Sequence, residues 1–216
     1  GAYAVEQLVA TGESDTCHQR HAHYYLALAQ TAAQQIQGKA KKEWLDQLAA
    51  EHDNLRAALE WLLTHEPATA LQLVVALLEF WQTRGYDSEA RHWIDQALQV
   101  NPLPTTARAA TLVAAGIFAR RQADYAVAQS YMAESIAIYQ TQPDPAGLAA
   151  ALREDGWLEY DLHHKTIAIE HFYASLALYR QVGDSERIAH LLLCLGHVMN
   201  GQPEYQAQQQ TYLAEG

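Results

Sequence analysis

Histidine is the residue with the widest chemical range in this chain, which carries eleven of them. His18 and His21 stand three apart and share one face of a helix. His163 adjoins His164, and His190 precedes His197 by seven. A metal centre needs three or four converging ligands, helped by carboxylates or thiolates. No His-Glu-x-x-His or Cys-x-x-Cys spacing occurs, so no metal is expected. Cys17 adjoins His18 and Glu154 adjoins Asp155, but sequence neighbours on a helix point about 100° apart. Neither pair reads as a nucleophile with its base or as an acid–base couple. A Gly-x-Ser-x-Gly elbow is also lacking. No catalytic residue and no cofactor are expected, and the chain reads as a non-enzyme. The run Glu51-His52-Asp53-Asn54 is read as polar contacts that fix the pairing of two helices, with Asp53 able to meet Arg56 at i+3.

The elements that would position these residues are helices. Alanine supplies 39 of the 216 residues and glutamine 21, against 9 valines. Ala and Gln favour helix, and β-branched residues that favour strand are scarce. Gly12, Gly38, Pro67, Gly85, Pro102 with Pro104, Pro143 with Pro145, Gly183 and Pro203 cut the chain into helix-length pieces. Within the pieces apolar residues recur at i, i+3, i+4 and i+7, as in Trp44, Leu45, Leu48, Leu55, Ala58, Leu59 and Leu62. Ten or eleven helices in consecutive antiparallel pairs are expected, with starts capped at Asp15, Thr105 and Ser185.

Charge and hydropathy narrow the function. The net charge is −11, and the one dense basic cluster is Lys39, Lys41 and Lys42. Binding to a phosphate backbone needs a basic face, so no direct nucleic-acid partner is expected. No stretch reaches the roughly 18 apolar residues of a spanning helix. The run Leu71 to Trp81, broken by Gln72 and Glu79, suits a buried helix instead. No secretory signal is visible. Cys17 and Cys194 make no disulfide framework, and Cys194 reads as a small buried hydrophobe. A cytoplasmic setting without membrane contact is expected.

A repeat runs through the second half. Gly116, Gly156 and Gly196 are spaced by 40, as are Ala109, Ala149 and Ala189, and Leu112, Leu152 and Leu192. Ala128 matches Ala168, Ser135 matches Ser175, and Tyr139 matches Tyr179. Met132, Phe172 and Tyr212 hold one large apolar position. An earlier unit aligns at spacing 38 through Leu78, Trp81, Gly85, Ala90, Ile94 and Ala97. The small residues let two helices approach, and a bulky partner fills the gap. These offsets resemble the tetratricopeptide repeat. The fold class expected is all-α, a right-handed α-solenoid of antiparallel helix pairs. The repeats span about 67–102, 105–143, 145–183 and 185–216, with an N-terminal helical region over 1–64 and the repeat region over 65–216. The last repeat stops inside its second helix. That suggests a piece of a longer protein, or a homodimer through the C-terminal helices that would cover Tyr212 and Leu213.

Residues 3–64 carry a further pattern: Tyr3-Ala4-Val5-Glu6-Gln7-Leu8, Gly12-Glu13, Arg20-His21-Ala22-His23-Tyr24-Tyr25-Leu26, Trp44-Leu45-Asp46 and Glu51 to Leu62. It resembles the helical region of bacterial STAND-class, LuxR-type multidomain transcriptional regulators. The resemblance implies a sensor or autoinhibitory arm that binds a protein or a small inducer and gates an ATPase. The arm alone is present, since no Gly-x-x-x-x-Gly-Lys-Ser/Thr loop and no DNA-binding domain occur here.

In a tetratricopeptide-like solenoid the first helix of each pair lines a groove. With each unit's small residue counted as eighth, positions two, five, nine and twelve face it. They give Gln72, Val75, Glu79 and Gln82, then Ala110, Val113, Ile117 and Arg120, then Ala150, Arg153, Trp157 and Tyr160, then His190, Leu193, His197 and Asn200. Arg, Trp and Tyr are the types in which binding energy concentrates. The candidate groove residues are therefore Arg120, Arg153, Trp157, Tyr160, His190, His197 and Asn200. The arginines would grip a carboxylate and Trp157 would offer a stacking face. The partner expected is a protein or peptide, or another domain of a longer parent chain. The alternative is a small-molecule inducer in a closed pocket among Trp157, Tyr160 and His197.

Overall fold

A computed structural model of the chain describes residues 13–36 and 38–199. These residues form ten α-helices and no strand: α1 Glu13–Gln35, α2 Lys41–Ala50, α3 His52–His65, α4 Pro67–Arg84, α5 Asp87–Val100, α6 Thr106–Arg121, α7 Tyr125–Thr141, α8 Pro145–Asp161, α9 Lys165–Val182 and α10 Ser185–Met199. The fold is all-α, as the alanine- and glutamine-rich composition requires. Within each of the chain's two units, short links join successive helices that pack on one another. Among the described residues no helix is long and apolar enough to cross a membrane.

The chain divides into two compact units, one ending at Leu103 and the next beginning at Pro104. In the first unit α1 packs against α2, α3 and α4, and α3 against α4 and α5. The pair α4–α5, the earliest repeat by sequence, thus shares a core with the helices before it. Leu48, Leu55, Leu59, Leu62, Leu71, Leu73, Leu77, Phe80 and Trp81 are fully buried there. The run from Leu71 to Trp81 is a buried helix because its apolar residues face neighbours on several sides.

The polar run at the start of α3 ties helices together. The Tyr25 hydroxyl of α1 donates to Glu51 at 2.7 Å, and Asn54 donates to the same carboxylate oxygen. The Glu51 bond pushes the Tyr25 phenol up to about 12. From α3, His52 lies 2.9 Å from Glu89 of α5, and Arg56 donates to both Glu89 oxygens. His52 also stacks on Tyr86 with ring centroids 4.7 Å apart. Asp53 meets Arg56 at 3.3 Å but is almost fully exposed, so that pair adds little.

In the second unit the helices pack in chain order, a solenoid-like pattern: α6 on α7 and α8, α7 on α8, α8 on α9, and α9 on α10. The repeated small residues do what their spacing predicts. A Cβ on Gly116 would lie 2.6 Å from the end of Met132, and one on Gly156 would lie 2.8 Å from the Phe172 ring. Each glycine lets a second helix bring its large residue against the backbone.

Helix starts follow the expected capping at Thr105, whose hydroxyl accepts from the Arg108 N–H at 3.1 Å. Two caps differ from the sequence reading. Asp15 lies within α1, which already runs from Glu13. The cap of α10 is Asp184 and not Ser185, because the Asp184 carboxylate accepts from the Arg187 N–H at 3.0 Å. Asp144 caps α8 in the same way through Gly147.

Candidate functional site

The first helices of the second unit's pairs are α6, α8 and α10, and they carry the candidate groove residues Arg120, Arg153, Trp157, Tyr160, His190 and His197. Trp157 and Tyr160 project from α8 at i and i+3, and His197 from α10 reaches both. Ring centroids lie 5.9 Å apart for Trp157 and Tyr160, 6.0 Å for Trp157 and His197, and 5.8 Å for Tyr160 and His197. Trp157 also meets Phe172 edge-on at 5.2 Å. One side of the indole is therefore anchored in the core, and the residue stays half-buried. Trp157 thus packs on the core through Phe172 and keeps part of its ring at the surface. Its amphipathic ring is suited to a face that is part apolar and part wet.

The arginines behave differently from the expectation of free guanidiniums. Arg120 of α6 donates to Asp161 of α8 at 2.7 Å. Arg153 donates through two nitrogens to its neighbour Glu154, at 3.0 and 2.6 Å. Each is already neutralised by a carboxylate of this chain, so neither offers an unpaired charge to an incoming anion. Sequence reasoning missed the Glu154 partner because it weighed Glu154 and Asp155 only against each other, as a diverging couple. They do diverge, and each then finds a cation of its own.

Three acidic residues of α8 are buried, with Glu154 8% exposed and Asp155 and Glu159 each 9%. Burying a carboxylate requires a partner. Asp155 lies 3.0 Å from the Nδ1 of His171 on α9, an ion-pair distance without the alignment of a full hydrogen bond. The Asp155 contact raises the His171 imidazole above its ordinary 6.5, against the opposing effect of burial. Glu159 lies 2.7 Å from the Nδ1 of His164 and accepts a long bond from Gln129 of α7 at 3.5 Å. These contacts form a polar seam joining α8 to α9 and α7. The i, i+4 spacing of Asp155 and Glu159 is the signal that would have found it.

His190 is exposed, and its Nδ1 lies 3.6 Å from the Cys194 sulfur. Cys194 is buried, and burial pushes its thiol up, which suits a packing role over a reactive one. Leu193, between them, is 75% exposed. Asn200 lies outside the described residues, as do Tyr212, Leu213 and the C-terminal segment on which the homodimer expectation rests. Among the described residues no three His, Cys, Asp or Glu side chains converge as metal ligands.

Beside the aromatic cluster an open concavity of about 530 Å³ is lined by Tyr125, Tyr160, Asp161, His163 and Lys165. Tyr160 belongs to both. His163 holds a left-handed backbone, φ 65°, at the turn between α8 and α9, two residues before Lys165, the first residue of α9. Sequence reasoning placed Tyr160 here but not Tyr125, Asp161, His163 or Lys165. These lie at helix ends and turns, which a count of groove positions along the first helix does not reach.

The sequence matches no family model and no curated protein. Its fold is similar to that of BtubC (BKLC) from P. vanneervenii in a crystal structure. The TM-score is 0.66 and the sequence identity 13%, with 92% of this chain and 89% of that chain covered. At that identity the likeness concerns fold alone.

Proposed function

We propose that this chain is a non-catalytic interaction module that binds a peptide or protein segment on the first-helix face of its second unit. The observation that carries this reading is the Trp157–Tyr160–His197 cluster, half-open to solvent and continuous through Tyr160 with an open concavity. Aromatic residues supply large contact area at low entropic cost and dominate binding hot spots. An open depression suits an extended segment, whereas a small inducer is held best in an enclosed pocket. The pattern in residues 3–64 supports a regulatory role, as the sensor or autoinhibitory arm of a bacterial transcriptional regulator. A cytoplasmic setting belongs to the same reading and is supported by two thiols that are both free.

The test is selection of a random peptide library on the immobilised chain, with Trp157→Ala and Tyr160→Ala as comparison proteins. Peptides whose affinity falls about tenfold or more on each variant are expected. Enriched peptides that bind both variants as well as the native chain would remove the face from consideration. Helical content measured by circular dichroism confirms that the variants fold.

A further inference from the structure

We infer that the concavity between α7, α8 and α9 seats an acidic side chain of the bound peptide, with Lys165 as its counter-charge and the Tyr125 and Tyr160 hydroxyls as donors. The inference rests on the peptide-binding reading above and assigns the chemistry of one position in the peptide.

The charge balance of the lining carries the argument. Two of its five residues are formally charged at neutral pH, Asp161 and Lys165. Asp161 is already held by Arg120 at 2.7 Å, so its charge is compensated within the wall. Glu159, on the turn of α8 just before it, is buried and engaged by His164. Lys165 is left as the uncompensated charge at the rim. Tyr125, Tyr160 and His163 share the lining with it and add groups that can donate to an oxyanion. The volume falls within the ~300–1,000 Å³ typical of ligand sites and has room for a side chain with its flanking backbone. A cationic side chain would meet Lys165 and find Asp161 already paired. An apolar one would strip water from the lysine without replacing it.

The chain as a whole is acidic, at −11. Long-range attraction therefore does not bring an acidic peptide in, and recognition has to be local. Salt should screen the unfavourable long-range repulsion as well as the lysine contact, so the decisive readout is the side chain and not the salt slope.

The experiment uses the full chain and peptides enriched from a random dodecapeptide library. Each enriched peptide is tested against its Asp→Asn or Glu→Gln version on the native chain, Lys165→Gln and Tyr125→Phe. Support takes the form of a shared acidic position and a tenfold or greater loss on neutralising it. That loss should shrink to under threefold in Lys165→Gln, because the two changes act on one contact. Tyr125→Phe removes only a hydroxyl and should weaken the acidic peptide without affecting its neutral version. Peptides that need Trp157 but show no acidic preference, or keep it in Lys165→Gln, would overturn the inference and leave the peptide-binding reading standing. Failure to enrich any peptide sensitive to Trp157→Ala would overturn both.

Discussion

The Ser175 hydroxyl of α9 donates 2.7 Å to the Ala149 carbonyl of α8, and 40 residues earlier Ser135 of α7 donates 2.9 Å to Ala109 of α6. Both serines are fully buried. Each bond ties the second helix of a pair to the backbone of the first, and identical spacing gives identical geometry. Ser175→Ala removes the donor but leaves a carbonyl that still takes part in its own helix. A loss of about 0.5–1.5 kcal/mol is expected for each single variant. The double variant should lose the sum, because the two sites share no partner. Urea denaturation followed by circular dichroism measures both, and an unchanged midpoint in Ser175→Ala would contradict the assignment.

The two packing glycines should respond differently to the same substitution. Alanine gains about 1 kcal/mol over glycine inside a helix. At Gly116 the obstacle is the end of Met132, a flexible side chain that can swing aside. Gly116→Ala should stay within about 0.5 kcal/mol of neutral. At Gly156 a new methyl would meet Phe172 ring atoms at 2.8, 3.0 and 3.2 Å, and a rigid ring cannot bend away. Gly156→Ala should cost about 1–3 kcal/mol despite the helix gain. Equal effects at the two positions would show that the ring moves as freely as the methionine.

Turns that close helix ends in the left-handed conformation give a further contrast. Gly85 and Gly183 sit at φ 72° and 74°, but Ala123 and His163 hold φ 59° and 65° without being glycine. A side chain in that region costs about 1–2 kcal/mol. Ala123→Gly should therefore stabilise the protein by about 1 kcal/mol after the added freedom of the unfolded glycine is counted. Gly85→Ala, in open space but at the same φ, should destabilise it by a similar amount. Thermal melts of the two variants should shift in opposite directions.

What the sequence made legible was the part that repeats. Gly116 with Met132, Gly156 with Phe172, and Ser135 with Ser175 recur at fixed offsets because each solves one packing problem, the close approach of two helices. Trp157, Tyr160 and His197 were placed together for the same reason, since they occupy equivalent faces. The local pair Asp53–Arg56 could be read at i+3, but the salt links between helices of the second unit were not legible. Arg120 meets Asp161 across 41 positions and His171 meets Asp155 across 16, at sites that no other repeat shares. Periodicity cannot report an interaction that occurs once. The lining of the concavity escaped for another reason. Tyr125, His163 and Lys165 are brought together by turn geometry, in particular the left-handed backbone at His163, which a helical period does not encode.

The last prediction concerns pH and the His171–Asp155 contact. His171 is raised above its unfolded value of 6.5, chiefly by Asp155, with Glu159 and Glu170 acting in the same direction and burial opposing. A raised imidazole means that the folded state holds its proton more tightly than the unfolded chain does. The stabilisation is then fully present below about pH 6.5 and is lost as pH rises through the higher folded value. In the native chain, denaturation between pH 5.5 and 8.5 should reveal a component of stability that declines over the upper part of that range. His171→Gln should flatten that component while leaving the fold intact, since the amide can still donate to Asp155. A proton titration of the His171 ring by NMR gives the folded value directly. An imidazole titrating below 6.5, or an unchanged pH profile in His171→Gln, would show that burial outweighs the carboxylate and that the contact is made by a neutral ring.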